Sequence, residues 1–211
     1  MQLTRIDGMN MKNKDKLRTC IWDMMEARKI SNPEKPCHGR IPDFKGSKEA
    51  AGMLRSTEEW KKAEVVFSSP DTAQIKVREY ALLDGKKLIM ASPNLERGYI
   101  LLDPLKVQGS EKAASSKEGA FKFGTNIQRF PGVDLVVEGS VAVDMSGGRL
   151  GKGKSYGDTE IVHLFHEKVI KEDTPIATTV HEIQIVDSVP VEAHDQKINM
   201  IATPERVLRI F

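Results

Sequence analysis

The densest concentration of chemically useful residues in this 211-residue chain is Asp144-Met-Ser-Gly-Gly-Arg-Leu-Gly-Lys-Gly-Lys-Ser-Tyr-Gly-Asp158. Five of the 16 glycines fall between Gly147 and Gly157, where an even spread would place about one. The segment leads from an apolar strand candidate into a helix candidate and carries Arg149, Lys152 and Lys154. Glycine lets backbone N–H groups turn toward a ligand, and a helix start adds partial positive charge. Three cations interleaved with such a turn point to phosphate binding rather than to a plain connecting loop. Asp158 can cap the helix through its side chain or hold a phosphate-bound magnesium. The generic nucleotide motifs do not fit. A Walker A loop requires Gly-x-x-x-x-Gly-Lys-Ser/Thr, which is missing, and the Rossmann fingerprint is not matched.

Other residue groupings carry less. Cys20 and Cys37 cannot build a disulfide framework or a four-ligand zinc site by themselves, so they read as reduced thiols of a cytoplasmic protein. His163 and His166 are three apart on a helix candidate. They flank Leu164-Phe165, however, and packing explains them better than a metal does. The zincin spacing is absent around His181-Glu182. No Ser/His/Asp or Cys/His constellation is recognisable, and Glu138 stands out as a carboxylate at the end of an apolar strand.

The elements that must position the glycine-rich loop alternate between helix and strand. Residues 12–27 read as an amphipathic helix, with Leu17, Ile21, Met24 and Met25 at helical spacing. Pro33 and Pro36 end it and open an irregular stretch to Gly46. Ser47 then caps a short helix to Leu54, and Ser56 with Glu59 has capping-box spacing, followed by a Glu58–Lys62 pair. Helices are expected at 75–83, stopped by Gly85, and at 158–170. Strands are expected at 63–67, 87–91, 99–102, 133–137, 141–143, 175–180, 183–186 and 199–202, and a polar, mobile surface loop at 106–118. Continuous apolar strands mean a sheet covered on both faces. Interleaving with helices makes an α/β domain with a mostly parallel sheet, one domain over 1–211.

Composition agrees with such a domain. At 23.5 kDa, with 39% hydrophobic and 29% charged residues, the chain is large enough to bury a core without staples. No apolar run approaches the roughly 18 residues of a spanning helix, and residues 1–10 lack a signal-peptide core. Membrane is therefore not an expected partner. The 32 Lys and Arg nearly balance 30 Asp and Glu, aromatics are 6%, and no RNA-binding motif is present, so nucleic acid is not an expected partner either.

The ordered motifs resemble the 5-formyltetrahydrofolate cyclo-ligase family, also called methenyltetrahydrofolate synthetases. That family carries Gly-x-Arg-Leu-Gly-x-Gly-x-Gly-Tyr-Tyr-Asp, against Gly147-Gly-Arg-Leu-Gly-Lys-Gly-Lys-Ser-Tyr-Gly-Asp158 here. Lys14-Asp-Lys-Leu-Arg18 resembles its N-terminal Lys-x-x-Leu-Arg helix, and Val189-Pro190, His194-Asp195 and Ile201-Ala-Thr203 resemble its C-terminal pattern. A divergent branch, the methenyltetrahydrofolate synthetase domain-containing proteins, is nearer still. Arg40-Ile-Pro-Asp-Phe-Lys-Gly46, Pro70-Asp71 with Gln74 and Val77-Arg78, and Val180-His-Glu-Ile-Gln-Ile-Val-Asp187 are similar to its segments. Two departures fall in the loop: Ser155 stands where the family has glycine, and Gly157 where it has a second tyrosine. A lost ring removes stacking area and a polar tip from the ligand pocket.

The resemblance implies a three-layer α/β sandwich that binds ATP and Mg2+ and converts 5-formyltetrahydrofolate, or a related formylated pterin, to 5,10-methenyltetrahydrofolate with release of ADP and phosphate. Arg149 and Lys152 would act in catalysis. ATP would lie against Lys14, Arg18, Arg149, Leu150, Gly151, Lys152, Gly153, Lys154, Ser155, Tyr156 and Asp158, with Asp158 as the magnesium ligand. Arg40, Lys45, Arg78, Asp144 and Gln184 would face the substrate. Two alternatives stand beside this one: ATP-dependent activity on another substrate, including one linked to thiamine, and a non-enzymatic nucleotide-binding regulatory protein.

Overall fold

The computed structural model describes residues 13–92 and 98–210, so the stretch at 1–12 and the expected helix start at residue 12 lie outside the described residues. Seven helices are described: α1 (Lys14–Ala27), α2 (Ser47–Arg55), α3 (Glu58–Lys62), α4 (Ile75–Leu83), α5 (Glu111–Ala114), α6 (Lys117–Phe123) and α7 (Tyr156–His166). The described strands are β1 (Val65–Ser68), β2 (Lys87–Ala91), β3 (Tyr99–Leu102), β4 (Thr125–Ile127), β5 (Leu135–Glu138), β6 (Ala142–Val143), β7 (Arg149–Leu150), β8 (Ile176–Thr179), β9 (Met200–Ala202) and β10 (Val207–Arg209).

Eight of these strands form one sheet in the order β10-β9-β8-β5-β1-β2-β3-β4. The five from β9 to β2 are parallel, and β3, β4 and β10 add antiparallel edges. Alternation within the central strands splits the interior into two layers. Val66, Leu88, Met90, Leu135 and Val137 pack with Leu54, Trp60, Val77 and Ala81 of α2, α3 and α4. Phe67, Ile89, Ala91 and Val136 face the other way, onto Ile161 and Leu164 of α7. This is the three-layer α/β sandwich with a mostly parallel sheet.

A third cluster matters more for the site. Leu17, Ile21 and Met25 of α1 pack against Ala142 of β6, Leu150 of β7 and Ile183, away from the main sheet. β6 and β7 pair antiparallel as a small hairpin. The hairpin's turn is held by Asp144, whose Oδ1 accepts from Ser146 N and Gly148 N at 2.8 and 2.9 Å while Oδ2 accepts from Val189 N at 2.6 Å. The glycine-rich segment therefore does not run directly from strand to helix. It folds back first, and only Gly151 to Ser155 form the loop that enters α7.

Several local expectations are corrected. Helix α2 is preceded by Gly46 as N-cap rather than by Ser47. Gly46 has φ +93, and a Cβ there would stand 2.6 Å from Pro204 Cγ, so only glycine fits. The cap of α3 is Thr57, not Ser56: its Oγ1 accepts from Trp60 N at 3.2 Å, and Glu58 pairs with Lys61 rather than Lys62. The expected surface loop at 106–118 contains α5 and the start of α6, pinned by the buried Val107, Ala114 and Ser115. The strand expected at 183–186 is replaced by a 3-10 turn, Glu182–Gln184. There the His181 ring accepts from Ile183 N and the Gln184 side chain accepts from His181 N. Helix α7 stops at His166, short of Ile170, where Lys168 turns to φ +57. His163 packs, its ring stacked on Tyr99 at 5.3 Å.

Candidate functional site

A cavity of about 550 Å³ opens at the carboxyl ends of the parallel strands, where α/β sheets place their ligands. β1 delivers Ser69, Pro70 and Asp71 to it, β2 delivers Ser92, and β5 delivers Glu138 and Gly139. The loop from Leu150 to Gly157 covers one side, and α1 closes another with Lys14 and Arg18.

The cations are held in place by specific partners. Arg18 Nε donates to the Gly151 carbonyl oxygen at 2.7 Å, and its Nη1 pairs with Asp15. Lys14 Nζ lies 2.6 Å from Asp195 Oδ2 and 2.8 Å from Glu192 Oε2; the two hydrogen-bonded carboxylates raise its pKa despite partial burial. Lys152 Nζ donates to Asp71 Oδ1 at 2.9 Å, which ties the loop to the end of β1. Lys154 and Arg40 are exposed at the rim. Lys117, from the first turn of α6, also lines the cavity, and burial lowers its pKa.

The loop's backbone suits close approach by a ligand. Gly153 has φ +104, and Ser155, the N-cap residue of α7, sits at φ +50 and makes no side-chain capping bond. The first N–H groups of a helix have no intrahelical acceptor, and here no N-cap side chain takes them up. A Cβ at Gly157 would stand 2.9 Å from Glu138 Oε2 and 3.0 Å from Arg149 Nη2. Uncapped helix start, glycine cradle and surrounding cations fit the phosphates of ATP. Asp158, in the first turn of α7, forms an ion pair through Oδ1 with Arg149 Nη2 at 2.8 Å, and the same oxygen accepts from Gln196 N at 3.0 Å. Among the described residues its Oδ2 has no hydrogen-bond partner, and that single oxygen would suit a magnesium completed by phosphate and water, the usual arrangement for that ion.

Beneath the cations the floor is acidic. Glu138 and Glu160 are 2% and 3% exposed and are hydrogen-bonded to each other through their carboxyls, an arrangement in which Glu138 keeps the proton and Glu160 is held lower than burial alone would put it. Burial pushes the Glu138 carboxyl well above the usual range, reinforced by Glu160. Burial likewise pushes Glu160 up to about 7. Arg149 lies beside them, its Nη1 donating to the Gly139 carbonyl at 3.1 Å. Glu160 and Lys117 were not anticipated from sequence. A glutamate in an amphipathic helix and a lysine in a polar tract carry no local signal of burial.

The other residues expected to face substrate are placed elsewhere. Arg78 is wholly buried. It spends its guanidinium on the carbonyls of Ser115, Ser69 and Asp71 at 2.8, 2.6 and 3.0 Å, so it shapes the cavity wall from behind. Gln184 Nε2 donates to the Ser140 and Val141 carbonyls, and Asp144 holds the hairpin turn. Lys45 lies on a separate shallow surface with Lys29 and Pro33. Of the five, only Arg40 reaches the cavity. Tyr156, Leu150, Gly151 and Gly153 line it as well.

Fold and site together define a three-layer α/β protein with a ligand cavity at the carboxyl ends of its parallel strands. Residues 10–204 match the 5-formyltetrahydrofolate cyclo-ligase family, and the chain belongs to it. Methenyltetrahydrofolate synthase domain-containing proteins of Mus musculus and Homo sapiens are 35% and 33% identical to it over 204 residues, or 93% of the chain. Those alignments cover 55% and 53% of the relatives, so the chain spans about half their length. Among solved structures, the 5,10-methenyltetrahydrofolate synthetase of Aquifex aeolicus superposes with TM-score 0.59 at 21% identity, covering 93% of this chain and 92% of that one. The corresponding Mycoplasma pneumoniae protein gives 0.55 at 14%, covering 90% and 98%. Both share the fold. Among the described residues, no helix is long and apolar enough to cross a membrane.

Proposed function

We propose that this chain is an ATP- and Mg2+-dependent cyclo-ligase that closes a formylated tetrahydropterin, 5-formyltetrahydrofolate or a close relative, to its 5,10-methenyl form. The observation that carries the reading is the uncapped start of α7 facing a cavity ringed by Lys14, Arg18, Lys152 and Lys154. ATP supplies the phosphoryl group that turns a formamide oxygen, a poor leaving group, into phosphate. The neighbouring amine nitrogen of the substrate then forms the new C–N bond as the C–O bond to phosphate breaks, and the amine proton is lost. No side-chain nucleophile is needed, so the protein's part is positioning and charge neutralisation.

The geometry supports the following division of labour. Gly151 and Gly153 allow the backbone to approach the phosphates, and Lys152, steadied by Asp71, neutralises charge that grows on the transferring group. Arg149, on β7 and held by the Gly139 carbonyl and Asp158, would supply positive charge at the inner end of the cavity, where the substrate would react. Arg18 and Lys14 close over the nucleotide from α1.

The test is direct. Purified protein is mixed with 5-formyltetrahydrofolate, ATP and magnesium, and the near-ultraviolet absorbance of the methenyl product is followed beside an Arg149→Ala variant. ATP-dependent product that the variant fails to make at a temperature where its melting curve shows it folded supports the reading. Absence of product, with ATP binding measured separately, overturns folate cyclisation and moves the search to another substrate or to a regulatory nucleotide-binding role.

A further inference from the structure

One cation of the cavity comes neither from the glycine-rich loop nor from α1. Of the lysines between residues 106 and 122, Lys106, Lys112 and Lys122 are exposed, whereas Lys117 is half-buried and lines the cavity. Among the described residues its ammonium has no hydrogen-bond or ion-pair partner. Burial weighs against its charge, Asp71 offsets part of that, and Lys152 and Arg78 add to it. Asp71 is already engaged, because its Oδ1 accepts from Lys152 Nζ at 2.9 Å. Arg78 donates only to carbonyls. Three cations therefore meet one carboxylate in this corner, and the other acid that acts on Lys117, Glu118, is exposed to solvent. Cations gathered in a low-dielectric cleft without matching acids attract an anion.

The fold holds Lys117 in this corner. Helix α6 follows α5 through a tight turn: a Cβ at Gly119 would overlap the Ala113 carbonyl oxygen, and Ser116 Oγ caps the helix by accepting from Gly119 N at 2.9 Å. Arg78 braces that turn against the end of β1. Its Nε donates to the Ser115 carbonyl at 2.8 Å, and its Nη1 donates to the Ser69 and Asp71 carbonyls at 2.6 and 3.0 Å. Lys117 stands two residues beyond one end of the brace, and Asp71 is at the other. Ala114 and Ala120 seat α5 and α6 in the layer of α2 and α4, whereas the loop that carries Lys152 leads into α7 of the opposite layer. The two lysines reach the cavity from the two sides of the sandwich.

We infer that Lys117 is a catalytic residue that contacts the γ-phosphoryl group of the bound nucleotide and, opposite Lys152, clamps that group during its transfer. The inference rests on the reading above for the reaction, but the contact itself needs only a bound nucleotide. As the formyl oxygen bonds to the γ-phosphorus, the bond from that phosphorus to the β–γ bridging oxygen breaks, and its electron pair leaves with ADP. Negative charge is spread over the non-bridging oxygens of the phosphoryl group while this happens. An ammonium on either side neutralises it without any proton having to move. Lys14 and Lys152 each arrive with a carboxylate already bonded, whereas Lys117 has none to give up among the described residues.

Isothermal titration tests the contact with no folate present, using the magnesium complexes of ADP and of the β,γ-imido analogue of ATP. Wild type is compared with Lys117→Met, which keeps the aliphatic stem, and with Lys117→Arg; melting curves establish that both variants are folded. Lys117→Met should bind the triphosphate analogue about tenfold more weakly than wild type and ADP within about twofold, and Lys117→Arg should recover most of the loss. In the methenyl assay, Lys117→Met should lower kcat about a hundredfold and leave the KM for 5-formyltetrahydrofolate within about twofold. Equal losses for both nucleotides, no loss for either, or no nucleotide binding by wild type overturns the contact. Unchanged nucleotide binding with a raised KM for the folate also overturns it and assigns the ammonium to an anionic group of the substrate. Triphosphate discrimination through Lys117 without any methenyl product would keep the contact and refute the cyclo-ligase reading.

Discussion

Arg18 and Gly151 are 133 positions apart in sequence, yet Arg18 Nε donates to the Gly151 carbonyl at 2.7 Å. The bond fixes both the guanidinium and the loop. Arg18→Ala should therefore weaken ATP binding about tenfold, and Arg18→Lys should recover only part of it, because an ammonium cannot reproduce the planar fork. Stability should change by less than about 1 kcal/mol, since the residue is partly exposed. Isothermal titration with ATP and a melting curve check both.

Arg149→Ala should do more damage. It strips the partner from buried Asp158 and leaves that carboxylate beside two further buried acids. Removing one member of a buried pair costs about 3–5 kcal/mol, whereas replacing both members with apolar residues is often neutral. Urea unfolding should show a large loss for Arg149→Ala and recovery of most of it in Arg149→Met/Asp158→Leu. A double variant as unstable as the single one would refute the pairing argument.

The acidic floor makes a pH prediction. Glu160 is pushed up to about 7 by burial, and Glu138 is raised well above the usual range. A carboxyl that holds its proton more tightly in the folded chain than in the unfolded one stabilises the fold at low pH, and that contribution fades as pH rises. The free protein should therefore lose stability between about pH 4.5 and 7, and Glu160→Gln should flatten the slope across that window. At pH 8, Glu138→Gln should melt several degrees higher than wild type, on the order of 1–2 kcal/mol. Melting temperature against pH for the three proteins decides it, and a Gln variant that parallels wild type would count against the raised values.

Gly153→Ala should be poorly tolerated, since φ +104 is unfavourable for any residue with a Cβ. The expected cost is about 1–3 kcal/mol, or the same energy expressed as a displaced loop and weaker ATP binding. Measured stability and ATP affinity that both match wild type would show that the loop does not need this conformation.

The loop was legible in the sequence because glycines and cations so close together have few structural explanations. The helices α1, α4 and α7 were legible from their apolar spacing, and the parallel core from its continuous runs of Val, Leu and Ile. The strands β4, β7 and β10 were not, because two or three residues carry no periodicity, and their pairing is decided by neighbours distant in sequence. Glu138 drew attention as an acid in an apolar run, but Glu160 lies 22 positions further on, and nothing local says that they meet. Arg78 misled for a related reason: a cation inside a motif reads as a ligand contact, while its three backbone carbonyl partners are visible only in three dimensions.

Lys14 joins Asp195 at 2.6 Å, and Lys152 joins Asp71 at 2.9 Å, so the cavity's walls are sewn together from segments near both ends and the middle of the described chain. Such a cavity cannot exist in a partly folded intermediate. Its closure has to wait for the longest-range contacts in the molecule, which are the slowest to form. A nucleotide that binds there serves as a reporter of completed folding, and it raises the cost of unfolding for the whole chain rather than for one loop. Refolding followed by return of ligand binding should therefore lag behind refolding followed by helix signal.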